Sequence, residues 1–127
     1  MNVASHQIKN IRFIPSNLFH NLDSKKKFDI IVSNPPYVSS NEYKNLSPPA
    51  KKQPSEALLA AHNGYFFYAE IFRQARNFLA PKFLLIVEIG YQQAQKVIKL
   101  IIEYFPQAQV SIFRDYAAHS RVIAIYQ

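Results

Sequence analysis

The sequence predicts an α/β fold in which a mostly parallel sheet carries an antiparallel pair of strands at one edge. Short runs of β-branched and aliphatic residues alternate with segments whose apolar residues recur every three to four positions. The last two runs are separated only by residues 114–121, too few for a crossover between parallel strands. The length of 127 residues is that of a single domain.

The elements follow from this pattern in chain order. Strands are predicted where apolar runs lie between polar or proline-containing stretches, at 11–14, 28–33, 83–89, 110–113 and 122–126. Helices are predicted at 65–79, ended by Pro81, and at 92–104. Residues 34–55 form a proline-rich loop, and a loop of that length in a compact domain is usually functional.

The composition excludes several kinds of site. Gly64 and Gly90 are the only glycines, so no Gly-rich nucleotide-binding loop can form from this chain. The absence of cysteine excludes disulfides, thiolate metal sites and a cysteine nucleophile. No metal site is predicted, because the four histidines lack ligand spacing: His6, His20, His62 and His119. With neither a signal peptide nor a long apolar run, we expect a cytoplasmic protein without a membrane partner.

Positive charge is concentrated in the first part of the chain. The net charge is +7, of which residues 1–53 contribute +5. A basic face suits nucleic acid or an acidic protein partner. The lysine run 25–27 is either part of such a face or a solvated turn before a strand.

The most informative stretch is the sequence Asn-Pro-Pro-Tyr at 34–37, directly after the apolar strand 28–33. The strand delivers Asn34 to the carboxyl edge of the sheet, where open α/β folds bind ligands. Pro35 and Pro36 have no N–H, so their carbonyl groups remain free to accept hydrogen bonds. Asn34 adds a side-chain carbonyl and Tyr37 a flat ring. Such acceptors suit a planar –NH2 group, either an amide or the exocyclic amine of a base.

This stretch resembles the Asn-Pro-Pro-Tyr motif of methyltransferases that act on planar nitrogens. Three further segments favour the glutamine branch of those enzymes. Residues 53–64 resemble its "EP-x-x-AL" stretch, 87–93 its "EIG-x-x-Q" strand end, and 114–122 its final hairpin. Together they resemble the release-factor glutamine N5-methyltransferases (HemK-like), over essentially the whole chain.

The resemblance implies a fold and a reaction. The fold is the C-terminal part of a Rossmann-like class I methyltransferase sheet of order 3-2-1-4-5-7-6, with the first two strands and the Gly-rich loop absent. Residues 1–127 would then be a partial catalytic domain. The implied cofactor is S-adenosylmethionine, and the implied substrate is a glutamine side chain of a peptide chain release factor. A separately encoded N-terminal half is a further expected partner.

The resemblance also implies residue roles. Asn34 and the Pro35 carbonyl would hold the two amide hydrogens of the target glutamine. Pro36 would line the same substrate site, and Tyr37 would pack against the amide and the sulfonium methyl group. Asn34 and Asn17 would face the cofactor, Asn17 standing where the family usually has an acid.

Four other residues have open or reduced roles. Gln53 replaces the acid of the "EP" stretch, which puts that contact in doubt. Glu88 either faces the cofactor pocket or caps the following helix. Asp115 and Arg121 are expected to pair across the last hairpin.

Two other functions compete with this interpretation. The first is a nucleic-acid adenine or cytosine N-methyltransferase, favoured by the basic charge and the shared motif. The second is a non-enzymatic truncated remnant. For the chain alone we expect a four-stranded lobe with strand 11–14 loosely attached, apolar residues exposed on strand 28–33, and weak or no cofactor affinity.

Overall fold

The computed structural model describes residues 9–37 and 65–127. Its elements in chain order are β1 (Phe28–Ser33), α1 (Tyr65–Ala75), β2 (Leu79–Glu88), α2 (Ala94–Tyr104), β3 (Gln109–Arg114) and β4 (Ser120–Tyr126). The four strands form one sheet of order β1-β2-β4-β3. β1 and β2 are parallel, whereas β4 is antiparallel to both β2 and β3. The predicted α/β fold and its antiparallel final hairpin are therefore confirmed.

The predicted strand at 11–14 is wrong. Residues 11–16 have no regular secondary structure, and the side chain of Phe13 is 76% exposed. A strand is stable only when another strand takes up its backbone hydrogen bonds. No strand in the described ranges lies beside this stretch, so its apolar sequence alone does not produce one.

The boundary between α1 and β2 also differs from the prediction. The helix ends at Ala75, where the N–H of Phe78 donates to the Ala75 carbonyl and closes a turn. Pro81 does not end the helix but lies inside β2. It occupies an irregular stretch in which Phe28 pairs with Leu79 but Ile30 pairs with Leu84, so Pro81 has no partner in the ladder.

The core lies between the sheet and the two helices, which both pack on the same face. One helix contributes Tyr68 and Phe72, the other contributes Val97 and Ile101, and all four are fully buried. They meet alternate residues of the two central strands: Leu85, Val87, Ile123 and Ile125. This alternation assigns one face of each strand to the core.

The opposite face of the sheet is apolar and partly open to solvent. We call it the open face and define it by three exposed residues on the outer strands, Ile30 (59% exposed), Val32 (69%) and Phe113 (56%). Neither helix covers it. Within the described residues no strand pairs with the outer edge of β1. The expected exposure of apolar residues on this strand is confirmed.

No helix in the described part of the chain is long and apolar enough to cross a membrane.

Adjacent isoleucines of α2 provide a test of this packing. Ile101 is fully buried, whereas Ile102 is 62% exposed. We expect Ile101→Ala to lower the free energy of unfolding by about 2–5 kcal/mol, through lost burial and the cavity left behind. Ile102→Ala should change it little, since alanine has the higher helix propensity. Urea denaturation followed by circular dichroism measures both, and equal losses would contradict the assigned face.

Candidate active site

The register between β1 and β2 brings the predicted motif to one edge of the sheet. Ser33 lies opposite Val87, so Asn34 and Glu88 come next at the carboxyl ends of two parallel neighbours. This edge is where open α/β sheets bind their ligands. The structure therefore places Asn34 beside the end of β2.

The four residues of the Asn34–Tyr37 segment differ in their exposure to solvent. Asn34 is exposed, Pro35 is buried, and Pro36 and Tyr37 are half-buried. The buried proline fixes the segment against the protein, while the Asn34 amide remains accessible to a ligand. This is the exposure that a binding side chain on a rigid support requires.

The hydroxyl of Tyr37 is held by Glu88. It donates a hydrogen bond of 2.9 Å to Glu88 Oε1. Burial, and next the bond to Glu88, raise the pKa of Tyr37, while Arg121 opposes the rise. The side-chain bond of Glu88 thus goes to Tyr37, and the residue at the N-cap of α2 is Gln93.

The backbone of Tyr37 is held by Gln93. Gln93 Nε2 donates to the Tyr37 carbonyl at 2.9 Å, although the two residues are 56 positions apart. Gln93 Oε1 accepts from the N–H of Gly90 at 3.0 Å and lies 3.1 Å from the Tyr68 hydroxyl. Only 6% of Gln93 is exposed, so these bonds replace contacts with water.

Tyr68 connects this group to the core. Its ring is fully buried, and its hydroxyl lies 3.1 Å from both the Glu88 carbonyl and Gln93 Oε1. Burial raises the pKa of Tyr68, so the hydroxyl keeps its proton and remains a donor.

The final hairpin is tied to the same edge. Arg121 Nε and Nη2 each donate to Asp115 Oδ2 at 3.2 Å, and Arg121 Nη1 donates to the Ile89 carbonyl at 3.3 Å. Asp115 Oδ1 also accepts from the N–H groups of Ala117 and His119 at 3.0 Å. The His119 N–H and then Arg121 lower the pKa of Asp115. The expected pairing of Asp115 with Arg121 is confirmed.

Asn17 lies apart from these residues. It begins a turn in which its carbonyl accepts from the N–H of His20, and the ring of Phe19 stacks on Phe78 at 5.1 Å. Phe78 bonds to the first residue of β1, at the opposite end of the strand from Asn34. The cofactor role of Asn17 stays a prediction.

Part of the predicted pattern lies outside the described residues. This holds for residues 38–55 of the predicted loop and for the whole of 53–64, which includes Gln53 and Gly64.

Comparison with known proteins identifies the family. The family model described as "Eco57I restriction-modification methylase" matches residues 3–117. The chain belongs to this methylase family.

The relatives that the chain matches have more specific names. The chain is 44% identical over 123 residues to a release factor glutamine methyltransferase of Fusobacterium nucleatum, covering 96% of this chain and 34% of the relative. A protein of the same name from Pasteurella multocida is 36% identical over 121 residues, covering 95% and 40%. A bifunctional methyltransferase of Rickettsia prowazekii is 43% identical over 116 residues, covering 91% and 22%. The chain thus spans between about a fifth and two fifths of these relatives.

Two solved structures resemble its fold. A release-factor-specific protein-(glutamine-N5) methyltransferase of Alicyclobacillus acidocaldarius aligns with a TM-score of 0.53 at 24% identity, covering 80% of this chain and 49% of that one. A ribosomal protein L11 methylase of Lactobacillus delbrueckii aligns with a TM-score of 0.58 at 18% identity, covering 98% and 48%. The class I methyltransferase fold and the likeness to release factor glutamine methyltransferases are both confirmed.

Two residues of this group are not predicted from the sequence. The sequence marks Gln93 only as the last position of the "EIG-x-x-Q" likeness, and its spacing of three from Gly90 is the available signal. Tyr68 gave no signal for a polar role, because an aromatic residue on an amphipathic helix is typical of a core.

The buried hydroxyl of Tyr68 gives a pH-dependent prediction. Below about pH 9 we expect Tyr68→Phe to lower the free energy of unfolding by about 1–3 kcal/mol, since buried acceptors lose a donor. Because the folded pKa is raised, Tyr68 of the unfolded chain ionises first, near pH 10. The contribution of Tyr68 therefore falls as the pH rises above about 10, and the gap between the two proteins narrows.

Urea denaturation at about pH 8 and about pH 11 measures this gap. Tyr116→Phe is the matched control, because the Tyr116 side chain is fully exposed. A Tyr68→Phe gap that stays constant or widens with pH would contradict the assignment.

Proposed function

We propose that this chain carries the substrate-facing part of an S-adenosylmethionine-dependent methyltransferase whose target is a glutamine side chain of a peptide chain release factor. The observation that carries the proposal is the exposed Asn34 amide at the carboxyl edge of the sheet, next to a Tyr37 held at both its hydroxyl and its carbonyl. The names of the relatives from Fusobacterium and Pasteurella support the substrate. Residues 1–127 are then a partial catalytic domain.

The Asn34–Tyr37 segment has the groups that this chemistry needs. Asn34 Oδ1 and the Pro35 carbonyl accept the two hydrogens of the target amide, and Pro36 lines the same site. These bonds draw electron density onto a nitrogen whose lone pair is otherwise delocalised, and they fix its direction of attack. The Tyr37 ring packs against the amide. No strong base is required beforehand, because the amide proton becomes acidic as the new bond forms.

The described residues fit the acceptor side of such a site. S-adenosylmethionine supplies an electrophilic methyl group when bound. Asn34 is accessible enough to contact both the target amide and the cofactor, whereas Asn17, the other predicted cofactor residue, lies in a turn near the opposite end of β1. With glycines only at 64 and 90, a Gly-rich loop for the cofactor has to come from another segment.

A further segment or partner also explains the open face. Ile30 and Val32 on β1 are more than half exposed, and an apolar outer strand of this kind is normally covered or paired. The chain spans about a third of the Fusobacterium relative. We propose that an N-terminal half, preceding this region or separately encoded, packs there and completes the cofactor site.

A chimeric enzyme tests the activity. The matching region of the Fusobacterium relative is replaced by this chain, and transfer of a labelled methyl group to release factor is measured. We expect activity, and we expect Asn34→Ala to lower kcat by about 100-fold or more, because an acceptor for the target amide is lost.

Asn77→Ala is the matched control, since Asn77 is exposed in the turn that precedes β2, at the other end of the sheet. Equal losses in both variants would contradict the role of Asn34. An inactive chimera that folds would favour the truncated remnant.

Methylation of nucleic acid is the second candidate. The matching family model is named for a restriction-modification methylase, and the chain has a net charge of +7. Duplex DNA is therefore offered to the same chimera in parallel. Methyl transfer to adenine or cytosine, without transfer to release factor, would show that the substrate is nucleic acid and not release factor.

Cofactor affinity tests the need for a second segment. We expect the 127-residue chain alone to bind S-adenosylmethionine weakly or not at all, and the chimera to bind it at micromolar concentration. Isothermal titration calorimetry measures both. Micromolar binding by the chain alone would show that its own residues suffice.

A further inference from the structure

We infer that Gln93 is a positioning residue that holds the Asn34–Tyr37 segment in the geometry required for methyl transfer. The inference rests on the proposed function. Gln93 is not offered as a catalytic residue, since its described contacts are with Tyr37, Gly90, Tyr68 and Val97 of its own chain.

The segment needs an external donor because it has few of its own. Pro35 and Pro36 have no N–H, so they cannot continue the ladder between β1 and β2. The segment can therefore be tied down mainly through its carbonyl groups. The proposed substrate acceptors are the Asn34 side chain and the Pro35 carbonyl, whereas the Tyr37 carbonyl accepts from Gln93 Nε2 at 2.9 Å.

The orientation of the Gln93 amide is fixed by its neighbours. Its oxygen accepts the N–H of Gly90 at 3.0 Å and is within 3.1 Å of the Tyr68 hydroxyl. A flipped amide would set its NH2 group against the Gly90 N–H and its oxygen against the Tyr37 carbonyl, two unfavourable contacts. The amide NH2 is therefore directed at Tyr37. Burial of Gln93 prevents water from taking its place.

Gly90 provides the space for this amide. A Cβ atom at position 90 would lie 3.0 Å from Gln93 Cδ and 3.0 Å from Oε1, closer than ordinary contact. A Cβ atom there would require the amide to shift by a few tenths of an ångström. The Gly90–Gln93 spacing thus has a physical reason of its own, independent of the hydrogen bonds.

Gln93 and Glu88 together fix Tyr37 at two points. Glu88 holds the hydroxyl, and Gln93 holds the carbonyl. Removal of the Gln93 donor frees the backbone end and allows the neighbouring carbonyls to move. A shift of this kind lowers the rate of the chemical step more than it weakens substrate binding, because the geometry of attack is lost.

The test replaces Gln93 by glutamate, which when ionised keeps the acceptor for Gly90 and Tyr68 but has no donor for Tyr37. Gln92→Glu is the matched control, since Gln92 is the exposed neighbour. In the 127-residue chain, the ¹³C chemical shift of the Tyr37 carbonyl is measured by NMR. In the chimera, kcat and KM for release factor are measured. Should Gln93→Glu fail to fold, Gln93→Met repeats the test without a buried charge.

For Gln93→Glu we expect a changed Tyr37 carbonyl shift, a fall in kcat of about 10- to 100-fold, and a KM within about twofold of the parent. Gln92→Glu should leave all three unchanged. An unaltered carbonyl shift, or a loss confined to KM, would overturn the inference. An inactive parent chimera would instead overturn the proposed function, while the carbonyl shift would still decide whether Gln93 holds the segment.

Discussion

The parallel pairing of β1 with β2 is the constraint on which the site depends. Because Ser33 lies opposite Val87, β1 ends one residue before β2, and the residues that follow this pair, Asn34 and Glu88, lie side by side. A slip of one residue would turn Ile31 away from the core and Asn34 away from its neighbours. At the start of β1, before the irregular stretch, the Phe28 N–H donates to the Phe78 carbonyl at 2.7 Å. After the end of β1, the hydrogen bond from Gln93 Nε2 to the Tyr37 carbonyl holds the following residues in place.

The sheet has two faces with different roles. One face packs against both helices and supplies the buried residues that make the described part of the chain stable. The open face has apolar residues on its outer strands, and neither α1 nor α2 packs on it. The chain matches about a third of its Fusobacterium relative. The candidate site lies at the carboxyl ends of the strands, beside the open face. We therefore expect part of its wall to come from residues outside the described ranges. The proposed second segment would supply that part.

Features of the fold that depend on neighbouring residues could be predicted from the sequence, whereas features that depend on distant residues could not. The bounds of β1 were predicted correctly, since a β-branched run is ended abruptly by Asn34 and two prolines. The prediction that Pro81 ends the helix was wrong, because a proline is also tolerated inside a strand where the pairing is irregular. The apolar run at 11–14 failed as a strand, because strand formation requires a partner that local sequence does not reveal. The contact of Gln93 with Tyr37 crosses 56 positions, so only the folded chain shows it.

The position of β1 has a consequence for the dynamics of the site. As an outer strand with one described neighbour, β1 can separate from the sheet while the hairpin of β3 and β4 remains paired to β2. Such partial opening has a lower free energy than global unfolding, and it carries Asn34 and Tyr37 away with the strand. The lifetime of the assembled site is therefore governed by opening of β1, and whatever covers the outer edge of this strand also prolongs that lifetime.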